Sequence, residues 1–279
     1  LIGNSMVAKK QPVKNSQKWV VSRKISLVKS PMFLDHKIGD TSVLPAVHAI
    51  SWMIDVCLQK YTGFTFSSCK DFKVMNGVKF DKTLADQYSI NLQETEMKEG
   101  NVAEIQVQVS SNPGKLKRLH YSSIIKLAHE PLEVPINDFV DLKNTHNLPG
   151  STYYNDGTLF HGPKFQGIQK VLNISEQGLT LECMLPEISV IEQGPFATDN
   201  FNPFAIDLAF QAMLIWAWQF QKSGSLPLSM DMLEQFRLAP FGSKFYLSMS
   251  VNKNSPGSVN GNLLLHDKSG LLYSRVTGA

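Results

Sequence analysis

The sequence predicts an α+β fold made of two similar units, each a long central helix wrapped by a curved antiparallel sheet. Three observations carry that expectation. The stretch Asn202–Gln221, NPFAIDLAFQAMLIWAWQFQ, is apolar on nearly every face, which marks a helix enclosed by other elements rather than one lying on a surface. A second stretch near Leu44–Tyr61 places Ala46, Ile50, Met53, Ile54, Cys57 and Tyr61 at helical spacing. After each stretch the pattern changes to short runs of period two, the signature of strands.

In chain order, residues 1–16 are polar and aperiodic and read as a linker. Residues 17–130 form the first unit. Trp19–Ser30 opens it with strand-type residues, and Pro45 can start the first helix. The runs FKVMNGVKF, QYSINLQETE, AEIQVQVSS and RLHYSSIIKLA follow as an antiparallel meander. Turn residues at Glu96–Asn101 and Asn112–Lys117 separate them. Residues 131–150 carry Pro, Asn and Asp with little pattern and read as a connector. Residues 151–279 form the second unit, with YYNDGTLFHGPKFQGIQKVLNIS leading into the strand-like GLTLECMLP. Asn202 then caps the second helix, with Pro203 at its first position, where a missing N–H costs nothing. The runs LPLSMDMLEQFRLAP, KFYLSMSVNK, VNGNLLLHD and GLLYSRVTG close the chain. A helix that is apolar all round needs a sheet to cover it. Two such units in one chain make a double hotdog.

Composition narrows the function. The chain has 279 residues and a formal net charge of only +3, with scattered Lys and Arg, which argues against nucleic acid as a partner. No run reaches the length of a membrane span, because Asp207 and Gln211 interrupt the most apolar one. No apolar signal region opens the chain, which reads as a piece of a longer polypeptide. Cys57, Cys69 and Cys183 are odd in number and lack metal-ligand spacing, so free thiols in a reducing, cytoplasmic setting are expected. The remaining histidines are read as structural: His48 as a satisfied helical residue, and His120, His129, His146 and His266 as isolated. Trp216 and Trp218 are read as core.

Asp207 and Gln211 are four apart and share one stripe of the buried helix. Either they satisfy each other and nearby backbone, or they line a cavity. His36 lies in a loop just before the first helix. If the two helices pack side by side, His36 of one unit can face Asp207 of the other. A His and a buried acid across an apolar channel form a minimal acid–base pair. Low-dielectric walls would raise the pKa of Asp207 and lower that of His36, keeping both neutral.

Four segments resemble the dehydratase domains of polyketide synthases, and of polyunsaturated fatty acid synthases and related iterative systems in particular. DHKIGDTSVLP is similar to their HxxxGxxxxP motif, AIDLAFQ to DxxxQ/H, LFHGPKFQGI to the GYGP region, and LPLSMDMLEQFRLAP to the Leu-Pro segment after the second helix. In the family's order they cover most of Phe33 to Pro240. The resemblance implies a double hotdog, with His36 as the base for the α-proton of a β-hydroxyacyl thioester. It implies Asp207 as the acid for the leaving hydroxyl and Gln211 as its orienting partner. Pro45, Phe160, His161, Gly162, Pro163 and Phe165 would line the channel. The substrate would ride on the phosphopantetheine of an acyl carrier protein beside neighbouring synthase domains, with no metal or redox cofactor. A homodimer stays open.

Three positions depart from the pattern. Asp40 replaces the motif glycine, with Gly39 just before it; Ala46 follows Pro45; and His161 stands at the tyrosine position. A second imidazole could contact the substrate hydroxyl, but packing or a backbone hydrogen bond is the expected role. Two other readings share the scaffold: a product-template-like cyclase with a wider chamber, and a non-catalytic domain kept for docking or dimerisation.

Overall fold

A computed structural model describes residues 17–98, 100–112 and 116–279. The expected linker 1–16 and the tip of the second hairpin turn lie outside the described residues.

The first half opens with β1 (Lys18–Arg23), a 3₁₀ turn (Pro31–Asp35) and a small hairpin of β2 (Lys37–Ile38) and β3 (Thr41–Ser42). It continues with α1 (Ala46–Leu58), β4 (Thr65–Val74), β5 (Tyr88–Lys98), β6 (Val102–Ser111) and β7 (Arg118–Ala128). The second half starts with β8 (Leu148–Pro149), α2 (Gly150–Asn155), a second 3₁₀ turn (Pro163–Phe165), β9 (Ile168–Ser175) and β10 (Gly178–Cys183). Then come α3 (Val190–Gln193), α4 (Pro203–Gln221), β11 (Ser229–Gln235), β12 (Phe245–Ser255), β13 (Ser258–His266) and β14 (Leu272–Thr277).

The main sheet has twelve strands in the order β1-β5-β6-β7-β4-β11-β14-β13-β12-β10-β9-β8. The order shows the repeat that residue identities hide. In each half the strand after the helix pairs with the last of the next three strands, β4 with β7 and β11 with β14. The strand before the helix caps the far side, β1 on β5 and β10 on β12. β4 and β11 then pair with each other, so one continuous sheet wraps both helices.

This corrects the simple meander expected after α1. β4 starts at Thr65, and Asn76–Gly77, placed by pattern inside a strand, lie in a loop. Chain reversal between β4 and β5 needs a long crossing so that β4 can reach the centre. α2 was also not expected, because GSTYYN has no helical periodicity.

α1 and α4 pack against one another inside the sheet. Asn202 caps α4, its Oδ1 accepting from the Ala205 N–H at 3.3 Å, and its Nδ2 donates to Ala239 O at 2.9 Å. α4 is buried as far as Ala217, and the Trp216 indole donates to Ser175 O at 2.9 Å. Trp218, expected in the core, is 45% exposed. The last turn of α4 outruns its cover, so apolar character there does not mean burial. Cys57, Cys69 and Cys183 are free and buried. Among the described residues no helix is long and apolar enough to cross a membrane.

Candidate active site

His36 ends the first 3₁₀ turn, whose Met32 and Phe33 are fully buried and anchor it. The chain then reverses through the β2–β3 hairpin. Gly39 takes the first turn position at φ 61°, a conformation that costs a side chain-bearing residue but not glycine. The displaced glycine of the motif thus still makes the turn, and Asp40 is tolerated at the second position. The hairpin returns Val43 to His36: the Val43 N–H donates to His36 O at 3.0 Å, and His36 Nδ1 lies 3.2 Å from Val43 O. A carbonyl can only accept, so Nδ1 carries the proton and Nε2 keeps its lone pair. Burial pushes the His36 pKa down to about 4, partly offset by the Val43 carbonyl.

Asp207 sits in the second turn of α4, buried. Its Oδ2 accepts from Gln211 Nε2 at 2.8 Å. Gln211 is held in turn: Nε2 donates to Phe165 O at 2.9 Å and Oε1 accepts from Tyr154 Oη at 2.8 Å. Tyr154 Oη also accepts from the Ile168 N–H at 3.2 Å. The two open alternatives for Asp207 and Gln211 are therefore both true, since they satisfy each other and line a cavity. Burial raises the Asp207 carboxyl to about 7, and the Gln211 hydrogen bond pulls it partly back.

The segment Phe160–Phe165 brings the two halves together. It bridges to the first half through His36 and His161. The Gly162 N–H donates to Asp35 O at 2.7 Å and the Lys164 N–H to Asp35 Oδ2 at 3.1 Å. A Cβ on Gly162 would lie 2.8 Å from the Asp35 side chain, which explains a glycine there. The His161 ring stacks on Phe160 with centroids 4.2 Å apart, and its Nε2 is 3.4 Å from Asp207 Oδ2. Packing was the expected role of His161; the approach to the carboxylate goes beyond it. Burial, with His36 alongside, holds its pKa well below the usual imidazole value.

A cavity of about 260 Å³ lies between the halves, and His36, Pro45, Phe160, His161, Asp207 and Gln211 all line it. Gly162, Pro163 and Phe165, expected along the channel, do not line it. Gly162 allows the close approach to Asp35, Pro163 opens the 3₁₀ turn, and Phe165 offers its carbonyl to Gln211. Tyr121, Phe210 and the strap Ser225–Leu228 also line the cavity. No local pattern marks Tyr121, or Tyr154 behind Gln211, as part of a site. A larger cavity of about 440 Å³ shares Phe210 and that strap but touches neither His36 nor Asp207.

His48 corrects an expectation. It is fully buried on α1, yet neither ring nitrogen has a hydrogen-bond partner. Phe33, Phe165, Phe196 and Phe204 surround it with centroids 4.9–5.6 Å away. Burial keeps it neutral, and it belongs to the aromatic core behind the site.

Comparison with known proteins agrees with this architecture. The family model "Polyketide synthase dehydratase N-terminal domain" matches residues 145–279. A polyunsaturated fatty acid synthase polypeptide of Thraustochytrium sp. is 30% identical over 262 residues, which is 91% of this chain and 9% of that protein. The chain thus spans under a tenth of that relative's length. The dehydratase domain of a mycocerosic acid synthase-like polyketide synthase superposes with a TM-score of 0.72 at 17% identity, covering 94% of this chain and 88% of that one. The dehydratase domain from the CurK module of curacin polyketide synthase superposes with a TM-score of 0.70 at 18% identity, covering 96% and 93%. A histidine-to-phenylalanine variant of the CurK dehydratase, described as inactive, shares the fold. In sequence over residues 145–279 and in fold over nearly its whole length, the chain is similar to the dehydratase domains of polyketide synthases, and over 262 residues it is similar to part of a polyunsaturated fatty acid synthase; it shares the double hotdog fold of those domains.

Proposed function

We propose that the chain removes water from a β-hydroxyacyl thioester and leaves an enoyl thioester. One observation carries this reading: His36 and Asp207, from opposite halves, face one apolar cavity, where burial keeps the imidazole neutral, with its lone pair free, and lets the carboxyl keep its proton up to about pH 7. His36 Nε2 takes the α-proton. The C–H electrons form the Cα–Cβ double bond, and the β-hydroxyl departs with the proton of Asp207 as water. The imidazolium then returns its proton to the carboxylate, directly or through water. Gln211 fixes the carboxyl group, and Tyr154 fixes Gln211. His161 and Phe160 close the wall beside the reacting carbons. The step needs no metal ion or redox cofactor, because the thioester itself acidifies the α-proton.

The substrate class follows from the same reading. The acyl group arrives on the phosphopantetheine of an acyl carrier protein, next to other synthase domains, in the cytoplasm. The two hotdog units are 17–130 and 151–279, joined by 131–150. A cavity of about 260 Å³ supports dehydration over cyclisation, since a folded poly-β-keto chain needs a wider chamber. An inactive docking domain would not need to hold a His and an Asp at these pKa values. The test is incubation with β-hydroxyacyl pantetheine and carrier-protein thioesters, read by mass spectrometry. Loss of one water supports the reading; intact substrate under all chain lengths tried removes it.

A further inference from the structure

We propose that His36, His161 and Asp207 also form a site for one late first-row divalent cation, zinc above all, and that the bound ion shuts the cavity to substrate. One ligand atom from each of the three buried residues lies within 4.8 Å of the others. Zinc held by nitrogen and oxygen at 2.0–2.1 Å in a tetrahedron sets its ligand atoms about 3.4 Å apart. His161 Nε2 and Asp207 Oδ2 are already at 3.4 Å. The remaining gap closes by a swing of about 1 Å or slightly more, within reach of a ring rotation. Among the described residues His161 Nδ1 has no hydrogen-bond partner, so a small turn of this ring against Phe160 breaks no hydrogen bond at that nitrogen.

The supporting contacts suit a metal as well as a proton. A ligating histidine usually gives its other N–H to a carbonyl or carboxylate, and a ligating carboxylate is usually hydrogen-bonded. His36 gives Nδ1–H to Val43 O, and Asp207 Oδ2 accepts from Gln211. The cavity leaves the fourth position to water or an inhibitor. Two imidazoles and one carboxylate select zinc, cobalt, nickel or copper over magnesium and calcium, which need more oxygen. The third ligand stands at a departure from the GYGP pattern. Where the related motif carries a tyrosine, this sequence carries His161, and the exchange turns a two-donor pair into a three-donor set.

The inhibitory half of the inference rests on the dehydratase reading: the ion would take the lone pair of His36 and the charge of Asp207 together. The binding half does not. The experiment therefore separates them. Tag-free protein is titrated with Zn²⁺ by calorimetry and with Co²⁺ by visible absorption, and dehydration is followed with and without Zn²⁺ and a chelator. The expected result is one ion per chain, a tetrahedral Co²⁺ spectrum, and inhibition that competes with substrate and reverses with chelator. His161→Tyr and Asp207→Asn should each weaken binding by about 10²-fold or more, since losing even a supporting contact costs 10–100-fold. His129→Ala, at an exposed histidine, should leave binding unchanged. Melting curves confirm that each variant is folded. Absence of micromolar binding, an octahedral Co²⁺ spectrum, or binding that survives both ligand substitutions overturns the site. Binding with no dehydration in any condition keeps the site and removes the dehydratase reading; dehydration with no binding does the reverse.

Discussion

Replacing Gln211 with leucine tests how the acid is tuned. Asp207 is lifted to about 7 by burial, and the counterweight is the Gln211 hydrogen bond at 2.8 Å, which favours the carboxylate. A hydrogen bond to a charged group contributes about 1.5–3 kcal/mol. At about 1.36 kcal/mol per pH unit, its loss raises the Asp207 pKa by roughly one to two units. The acid works protonated, so the alkaline limb of kcat/KM should move from about 7 to about 8–9. The acid limb, set by His36 at about 4, should stay in place. The plateau should fall by about 10–100-fold, because the carboxyl group loses its fixed orientation. The assay is kcat/KM against pH, with enoyl thioester hydration as the reverse reaction. Tyr154→Phe is the companion variant: it removes the contact to Gln211 Oε1 and leaves both Gln211 donors in place. It should lower stability and leave the alkaline limb where it is. An alkaline limb that stays at about 7 in Gln211→Leu, or moves down, refutes the tuning argument.

Three further outcomes follow from the same geometry. Asp207 has a folded pKa of about 7 against an unfolded value of 3.8, so its protonated form contributes stability below about 4 that is lost as pH rises through 7. The loss is at most about 4 kcal/mol, so Asp207→Asn should be the more stable protein above pH 7 and gain little near pH 4, as read by urea unfolding at both. His48→Leu removes two unpaired buried nitrogens from an aromatic cage and should stabilise by about 1–3 kcal/mol; equal destabilisation would mean that a buried water satisfies the ring. Gly162→Ala forces its Cβ against Asp35 at 2.8 Å and should separate the Phe160–Phe165 segment from His36. Turnover should drop by about 10²-fold with a much smaller change in melting temperature, and unchanged turnover would show the segment to be passive.

Much of the site was legible because its two reacting groups break strong local patterns. Asp207 and Gln211 stand out in a helix with hardly another polar residue, and α4 caps itself with Asn202 and Pro203 as the sequence suggests. His36 was placed by the prolines and glycine around it and by the resemblance. What stayed hidden depends on tertiary contacts. β4 leaves its neighbour in sequence to pair with β7 and β11, and no local pattern encodes that choice. His48 has an ordinary helical setting, and only the four phenylalanines brought by distant elements make it an unpaired core residue. Tyr154 reaches Gln211 across fifty-seven positions, from a short helix without periodicity. His161 was visible as a departure, but its distance to Asp207 needed both halves in place. Trp218 misled because apolarity reports burial only while the sheet still covers the helix.

The central claim is that His36 and Asp207 act as one acid–base unit on a β-hydroxyacyl thioester. Single-turnover dehydration by the wild type, His36→Ala, Asp207→Asn and the double variant tests it most directly. Each single substitution should cost about 10²–10⁴-fold or more, with the double variant little worse than either, since the groups act together. A wild-type-like rate in His36→Ala, or losses that multiply in the double variant, would contradict the account.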